Sequence, residues 1–140
     1  MLIPYLHFFG CCREAIALYE KAFQTKCEVL IDSRTYATEI NPDDKRGEAE
    51  APDDKIAHAV MKIHGQTIYL NDRFGNKDKT TDCAVKIIIM FNSADELLKC
   101  YKIMEQNSIT IDPIEKLPYS ELAVQFLDEF GVQWGFMVEE

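Results

Sequence analysis

Three histidines, five cysteines and a lysine set in an apolar run are the residues of this sequence best suited to chemistry. His7, His58 and His64 carry imidazoles, which move protons near neutral pH and ligate metals. His64 precedes Gly65 in what reads as a hairpin turn, where water reaches it. His58 shares a strand face with Val60 and Lys62 and can point at a cavity, a loop or a second chain. His7 faces inward if the turn at Gly10 carries one extra residue, because Leu6 and Phe8 then pack under the following helix. A lone strand histidine is more often hydrogen-bonded scaffold than a ligand, and scaffold is the preferred reading for each.

Lys86 stands between Val85 and Ile87, and strand alternation turns its side chain inward. A buried ammonium needs a carboxylate or an anionic ligand beside it. A salt bridge to an acidic loop residue is the first expectation, ligand contact the second. The cysteines, at positions 11, 12, 27, 83 and 100, show no CxxC spacing, so no zinc ribbon is expected. Cys11 and Cys12 lie at a helix start, where a thiolate is stabilised, but no histidine base adjoins them. All five are expected to be free thiols acting as small hydrophobes.

These residues need strands and helices to hold them. Leu2 to Phe9 reads as a strand ended by Gly10. From Cys11 to Phe23 the period changes, and Cys12, Ala15, Ile16, Tyr19, Ala22 and Phe23 form one helical stripe. Lys26 to Asp32 reads as a second strand, and Ser33 to Lys55 as a long loop with two prolines and many carboxylates. Lys55–Ile63, the His64-Gly65 turn and Gln66–Asn71 form a hairpin. After a polar connection the pattern returns. Cys83–Phe91 reads as a strand, and Asn92 or Ser93 caps a helix that turns Leu97, Leu98, Tyr101 and Met104 to a core. Ile109–Ile111 is a short strand broken at Asp112-Pro113, and Glu121–Leu127 and Val132–Val138 complete the set. The order is βαβββ twice, an α+β class with a helix against one face of each small sheet.

The 140 residues suffice for one domain, with modules at about 1–74 and 83–140. Apolar content of 47% and charged content of 28% are ordinary for a globular chain. A net charge of −9 argues against nucleic acid or anionic membrane as partner. No apolar run is long enough to span a bilayer, and the start lacks a secretory pattern, so a cytoplasmic protein is expected.

The element order and three motifs resemble the PhnB-like family, often labelled 3-demethylubiquinone-9 3-methyltransferase-like, of the glyoxalase/bleomycin resistance/dioxygenase (vicinal oxygen chelate) superfamily. The first motif is Pro4-Tyr-Leu-His-Phe-Phe-Gly-Cys-Cys-Arg-Glu-Ala15 followed by Leu18-Tyr19. The second is His58-Ala59…Gly65-Gln-Thr-Ile…Asp72, and the third is Asp128-Glu-Phe-Gly-Val-Gln-Trp134. Together they cover nearly the whole chain. Each also has a scaffold reading: Gly10 and Gly131 suit turns with positive φ, while Tyr19 and Trp134 suit a core. The resemblance implies a half-open mixed β-sheet barrel and a homodimer. It also implies, in metal-using members, four His, Glu or Gln ligands projecting into the cavity. The corresponding positions here are Ile3 or Pro4, Tyr69 or Asn71, Lys86, and Gly135, none a usual ligand, so no metal and no cofactor are expected.

The favoured expectation is therefore a metal-free dimer binding a small organic molecule in the sheet cavity, with His7, Tyr69, Asn71, Lys86, Met90 and Gln133 as candidate ligand-binding residues. The alternative is a metal-dependent lyase or dioxygenase. A methyltransferase is disfavoured because no glycine-rich strand-to-helix loop for a nucleotide cofactor occurs. A structural or regulatory dimer without a ligand is the remaining possibility.

Overall fold

The computed structural model describes residues 1–40, 55–73 and 84–139, the side chains of Thr38 and Ile40 excepted. Most of the acidic stretch from Glu39 to Asp54 and Cys83 lie outside the described residues. The chain divides into two compact units, Met1–Lys77 and Asp78–Glu140.

The first unit runs β1 (Tyr5–Phe8), α1 (Cys12–Phe23), β2 (Val29–Asp32), α2 (Ser33–Ile40), β3 (Ile56–Ile63) and β4 (Gln66–Asp72). Its four strands form one sheet in the order β1-β4-β3-β2. β1 pairs parallel to β4, while β3 pairs antiparallel to β4 and to β2. All six residues of the expected α1 stripe are buried. They cover the sheet face carrying Phe8, Ala59, Met61, Ile63, Ile68 and Leu70, likewise buried. Removing this much apolar area from water is what holds helix to sheet.

The second unit runs β5 (Ile87–Phe91), α3 (Ala94–Met104), β6 (Ile109–Leu117), β7 (Ser120–Leu127) and β8 (Gln133–Val138). Its sheet has the order β5-β8-β7-β6, strand for strand the plan of the first. Again the outer pair, β5 with β8, is parallel and the others antiparallel. Ser93 caps α3, its hydroxyl accepting from the Glu96 N–H at 3.2 Å. The chain is thus α+β, with two four-stranded mixed sheets each backed by a helix.

Four expectations need correction. Ser33–Ile40 is helical, not loop. Its first turn contains no glycine or proline, and Asp32 caps it by accepting from the Thr35 N–H at 2.6 Å. That bond also holds the Asp32 carboxyl below its ordinary pKa. β6 does not stop at Asp112-Pro113 but continues to Leu117 through three register shifts. As the outermost strand of its sheet, β6 tolerates a proline that has no N–H to give. β5 begins at Ile87, so Lys86 precedes the strand. In α3, Leu98 is 41% exposed and Cys100 is buried in its place, because the 97, 100, 101, 104 spacing is the true stripe.

Candidate functional site

Each sheet has one face under its helix and one face turned away from it. On the first sheet, alternation along β1 sends Phe8 to the helix side, where it is 1% exposed, and Tyr5 and His7 to the other. The parallel register sets Tyr5 beside Tyr69 and His7 beside Asn71. β3 adds His58, whose neighbour Ala59 pairs with Leu70 on the helix side. The result is a cluster of rings. Tyr5 lies 4.8 Å from His7, 5.7 Å from His58 and 5.6 Å from Tyr69 between ring centroids. His58 and Tyr69 are 4.7 Å apart at 78°, an edge-to-face contact of the kind aromatic quadrupoles favour.

Two hydrogen bonds fix the cluster. His7 Nδ1 lies 2.7 Å from Asn71 Oδ1, and Tyr5 Oη lies 3.0 Å from His58 Nδ1. Burial raises the Tyr5 pKa, so the phenol keeps its proton. The other three side chains and Asn71 are half-buried, so part of each stays accessible. His7, Tyr69 and Asn71 from the sequence reading thus stand together. Tyr5 and His58 complete the group, and the signal for Tyr5 was its place two residues before His7 on the same strand.

The open face of the second sheet is different. Ile88 and Met90 of β5 are 38% and 45% exposed and pair with Gly135 and Met137 of β8. Gln125 of β7 pairs with Gly135 from the other side. Lys86 is exposed and donates to the Gln125 side-chain carbonyl, so the expected buried ammonium with a carboxylate partner is not what this residue is. Gln133 begins β8 on the same face by alternation, and its Oε1 is shut from solvent without a partner. Gln125 escaped the sequence reading because its link to Lys86 spans 39 residues.

Both ends of this scaffold are tied by carboxylates. Asp72 accepts from the N–H groups of Gly10 at 2.9 Å, Cys12 at 3.0 Å and Ile56 at 2.9 Å. It thereby caps α1 from another strand, as its N-terminal cap residue, Cys11, makes no side-chain cap. Burial first, and then the Asp72 charge, push the Cys12 thiol far up; burial also raises Cys11. The helix start therefore does not favour a thiolate at either position. Asp128, fully buried, accepts from Phe130 N–H, Val132 N–H and Trp134 Nε1–H, each at 2.9 Å. That explains the Asp128–Trp134 motif as a turn lock, with Gly131 at φ 95° closing it.

The residues at the expected metal positions do not fit a metal. Gly135 offers no donor, and even a Cβ there would meet Ile88 Cδ1 at 2.6 Å. Lys86 is a cation engaged with an amide, and Tyr69 is packed edge-on against His58. Among the described residues no three His, Cys, Asp or Glu side chains converge as ligands. Among them too, no helix is long and apolar enough to cross a membrane.

No family model matches the chain, and no curated protein matches it. Solved structures do. A PhnB protein from Bacillus cereus is similar over 98% of each chain, with 18% identity and a TM-score of 0.77. The glyoxylase/bleomycin resistance protein/dioxygenase domain from Frankia sp. EAN1pec is similar over 100% of this chain and 97% of its own, with 14% identity and a TM-score of 0.63. The fosfomycin resistance protein FosX from Listeria monocytogenes is similar over 100% and 93%, with 8% identity and a TM-score of 0.67. At these identities the likeness concerns the fold. The chain has the fold of the PhnB-like and glyoxalase/bleomycin resistance/dioxygenase proteins, in agreement with its motifs.

Proposed function

We propose that this chain is a metal-free homodimer that holds a small organic molecule against the open face of its first sheet. The carrying observation is the cluster of Tyr5, His7, His58, Tyr69 and Asn71, with ring contacts of 4.7 to 5.7 Å and polar atoms at its margins. His7, His58 and Tyr69 are half-buried and Tyr5 is 39% exposed, and side-chain hydrogen bonds hold Tyr5, His7 and His58. Such rings give flat contact area at little entropic cost, which suits ligand binding. Lys86, Met90 and Gln133 extend the proposal to the second open face, where the Met90 thioether and Gln133 amide lie in one sheet and Lys86 stands just before β5. The dimer is proposed because a small sheet backed by one helix leaves a face to be covered. The thiols of Cys11, Cys12, Cys27 and Cys100 are free, which supports a cytoplasmic location.

FosX is a fosfomycin resistance protein, so antibiotics and phosphonates join small aromatics in the first screen. Thermal shift of the purified chain is expected to show a raised midpoint with at least one flat organic compound. The shift should vanish in His7→Ala/Tyr69→Ala. Elemental analysis should find no stoichiometric metal, and sedimentation should find a dimer. A tightly bound metal at one per chain would replace this reading by the lyase or dioxygenase alternative; a screen without any shift would leave a purely structural dimer.

A further inference from the structure

Resting on that reading of the first open face, we propose that it selects flat, uncharged aromatics carrying a hydrogen-bond donor at one end and an acceptor at the other. The basis is that its two histidines bond through Nδ1 to unlike partners, an amide oxygen and a phenol, which assigns them opposite tautomers. Asn71 Oδ1 is a carbonyl oxygen and can only accept, so His7 Nδ1, 2.7 Å away, donates and bears the ring proton. A neutral imidazole then has Nε2 as its acceptor. At the other pair, 3.0 Å apart, the Tyr5 phenol can donate or accept, and we assign it as the donor to His58 Nδ1 because it is the more acidic partner. The proton of His58 is therefore on Nε2. His7 offers an acceptor, and His58 offers a donor.

Nε2 is in each ring the nitrogen further from the backbone, and neither of the two bonds uses it. β4 separates the strands bearing the two histidines, which sets their Cα atoms about 10 Å apart. The Tyr5 ring touches both imidazoles, and Tyr69 touches Tyr5 and His58, so an aromatic body meets ring surface along that path. A molecule with two acceptors sets a lone pair against the His7 Nε2 lone pair, and one with two donors sets a donor hydrogen against the His58 Nε2–H. Discrimination arises from such mismatches more than from the matched bonds.

Two measurements test this on the full chain. Nitrogen-15 NMR of the imidazoles, recorded above their titration, should show the Nδ1–H tautomer at His7 and the Nε2–H tautomer at His58; any other pair of tautomers overturns the inference. Calorimetric titration with 4-hydroxyacetophenone, which has both groups, should give affinity at least about five-fold above that of 4-methoxyacetophenone or 4-ethylphenol. Asn71→Leu, which leaves His7 in place but frees its tautomer, should reduce the difference between the hydroxy and methoxy compounds. Equal binding of all three compounds would overturn the donor–acceptor pairing while leaving small-molecule binding intact. Binding of none would overturn this inference, and the broader screen would then decide the reading beneath it.

Discussion

The two sheets share strand order, parallel and antiparallel pairings and a helix on one side, yet their other sides carry unlike chemistry. The first presents Tyr5, His7, His58, Tyr69 and Asn71, linked by ring contacts and two hydrogen bonds. The second presents Ile88, Met90 and Met137 around a bare Gly135, with Lys86 and Gln125 as its polar pair. On the helix sides the difference disappears: both are buried aliphatic and aromatic side chains. A duplicated architecture constrains what lies under the helix, where a wrong volume costs stability, and leaves the uncovered face free to diverge. Recognition is accordingly sought on the faces that differ.

The sharpest test of the scaffold half of this comparison sets Asp128 against Asp72. Asp128→Ala removes three bonds from a fully buried carboxylate and strands the Trp134 indole, and is expected to cost about 3 kcal/mol or more in urea unfolding. Asp72→Ala, at a half-buried site, should cost less, on the order of 1–3 kcal/mol. Equal losses would mean that the two units are not locked to different degrees.

The buried thiols come next, and here the units should behave alike. Burial pushes Cys100 up to about 12 from an ordinary value near 9, and Cys12 rises further. A raised folded-state pKa means that the folded chain keeps protons the unfolded chain releases. Stability is thus fully present below pH 9 and falls as pH climbs toward 12, by up to about 1.4 kcal/mol per pH unit for each thiol. Urea midpoints between pH 8 and 11 check this, and Cys100→Ala should flatten the slope. In native protein at pH 8, neither thiol should react with iodoacetamide.

Smaller effects probe the open faces. Tyr5→Phe keeps the ring and removes one hydrogen bond, so a loss of about 1 kcal/mol or less is expected. Its larger consequence should be a changed tautomer balance at His58, visible by NMR. Lys86→Met should shift stability by no more than about 0.5 kcal/mol, because the ammonium is exposed and its partner is neutral. A large loss would show that this face, too, is structurally committed.

Much of the fold was legible in the residues. The α1 stripe has a single period and a glycine turn before it, and every residue of it is buried. α2 was not legible as helix because the prolines and carboxylates downstream dominate its segment; Asp32 and Thr35 were the local signal. The closing motif was readable as a turn, but the bond from Asp128 to the Trp134 indole requires knowing how the turn folds back. At the site, the face taken by His7 depended on the Gly10 turn, and buried Phe8 puts His7 on the side away from the helix. Tyr5 shares the His7 face of its strand, a local signal, whereas His58 and Gln125 gain their roles from neighbours far off in sequence, which no local pattern encodes. Lys86 was misjudged because an apolar neighbourhood in sequence is not a buried one in space.

β6 has a bearing on self-association. It ends its sheet, carries Ile109 and Ile114 exposed, and would offer a sticky ribbon if it were straight. Its three register shifts and Pro113 break the even row of amide donors that a foreign strand needs as a template. Growth by strand addition is blocked on that side. Fibre-like stacking through β6 is suppressed by its own irregularity, so the proposed dimer calls for some other surface.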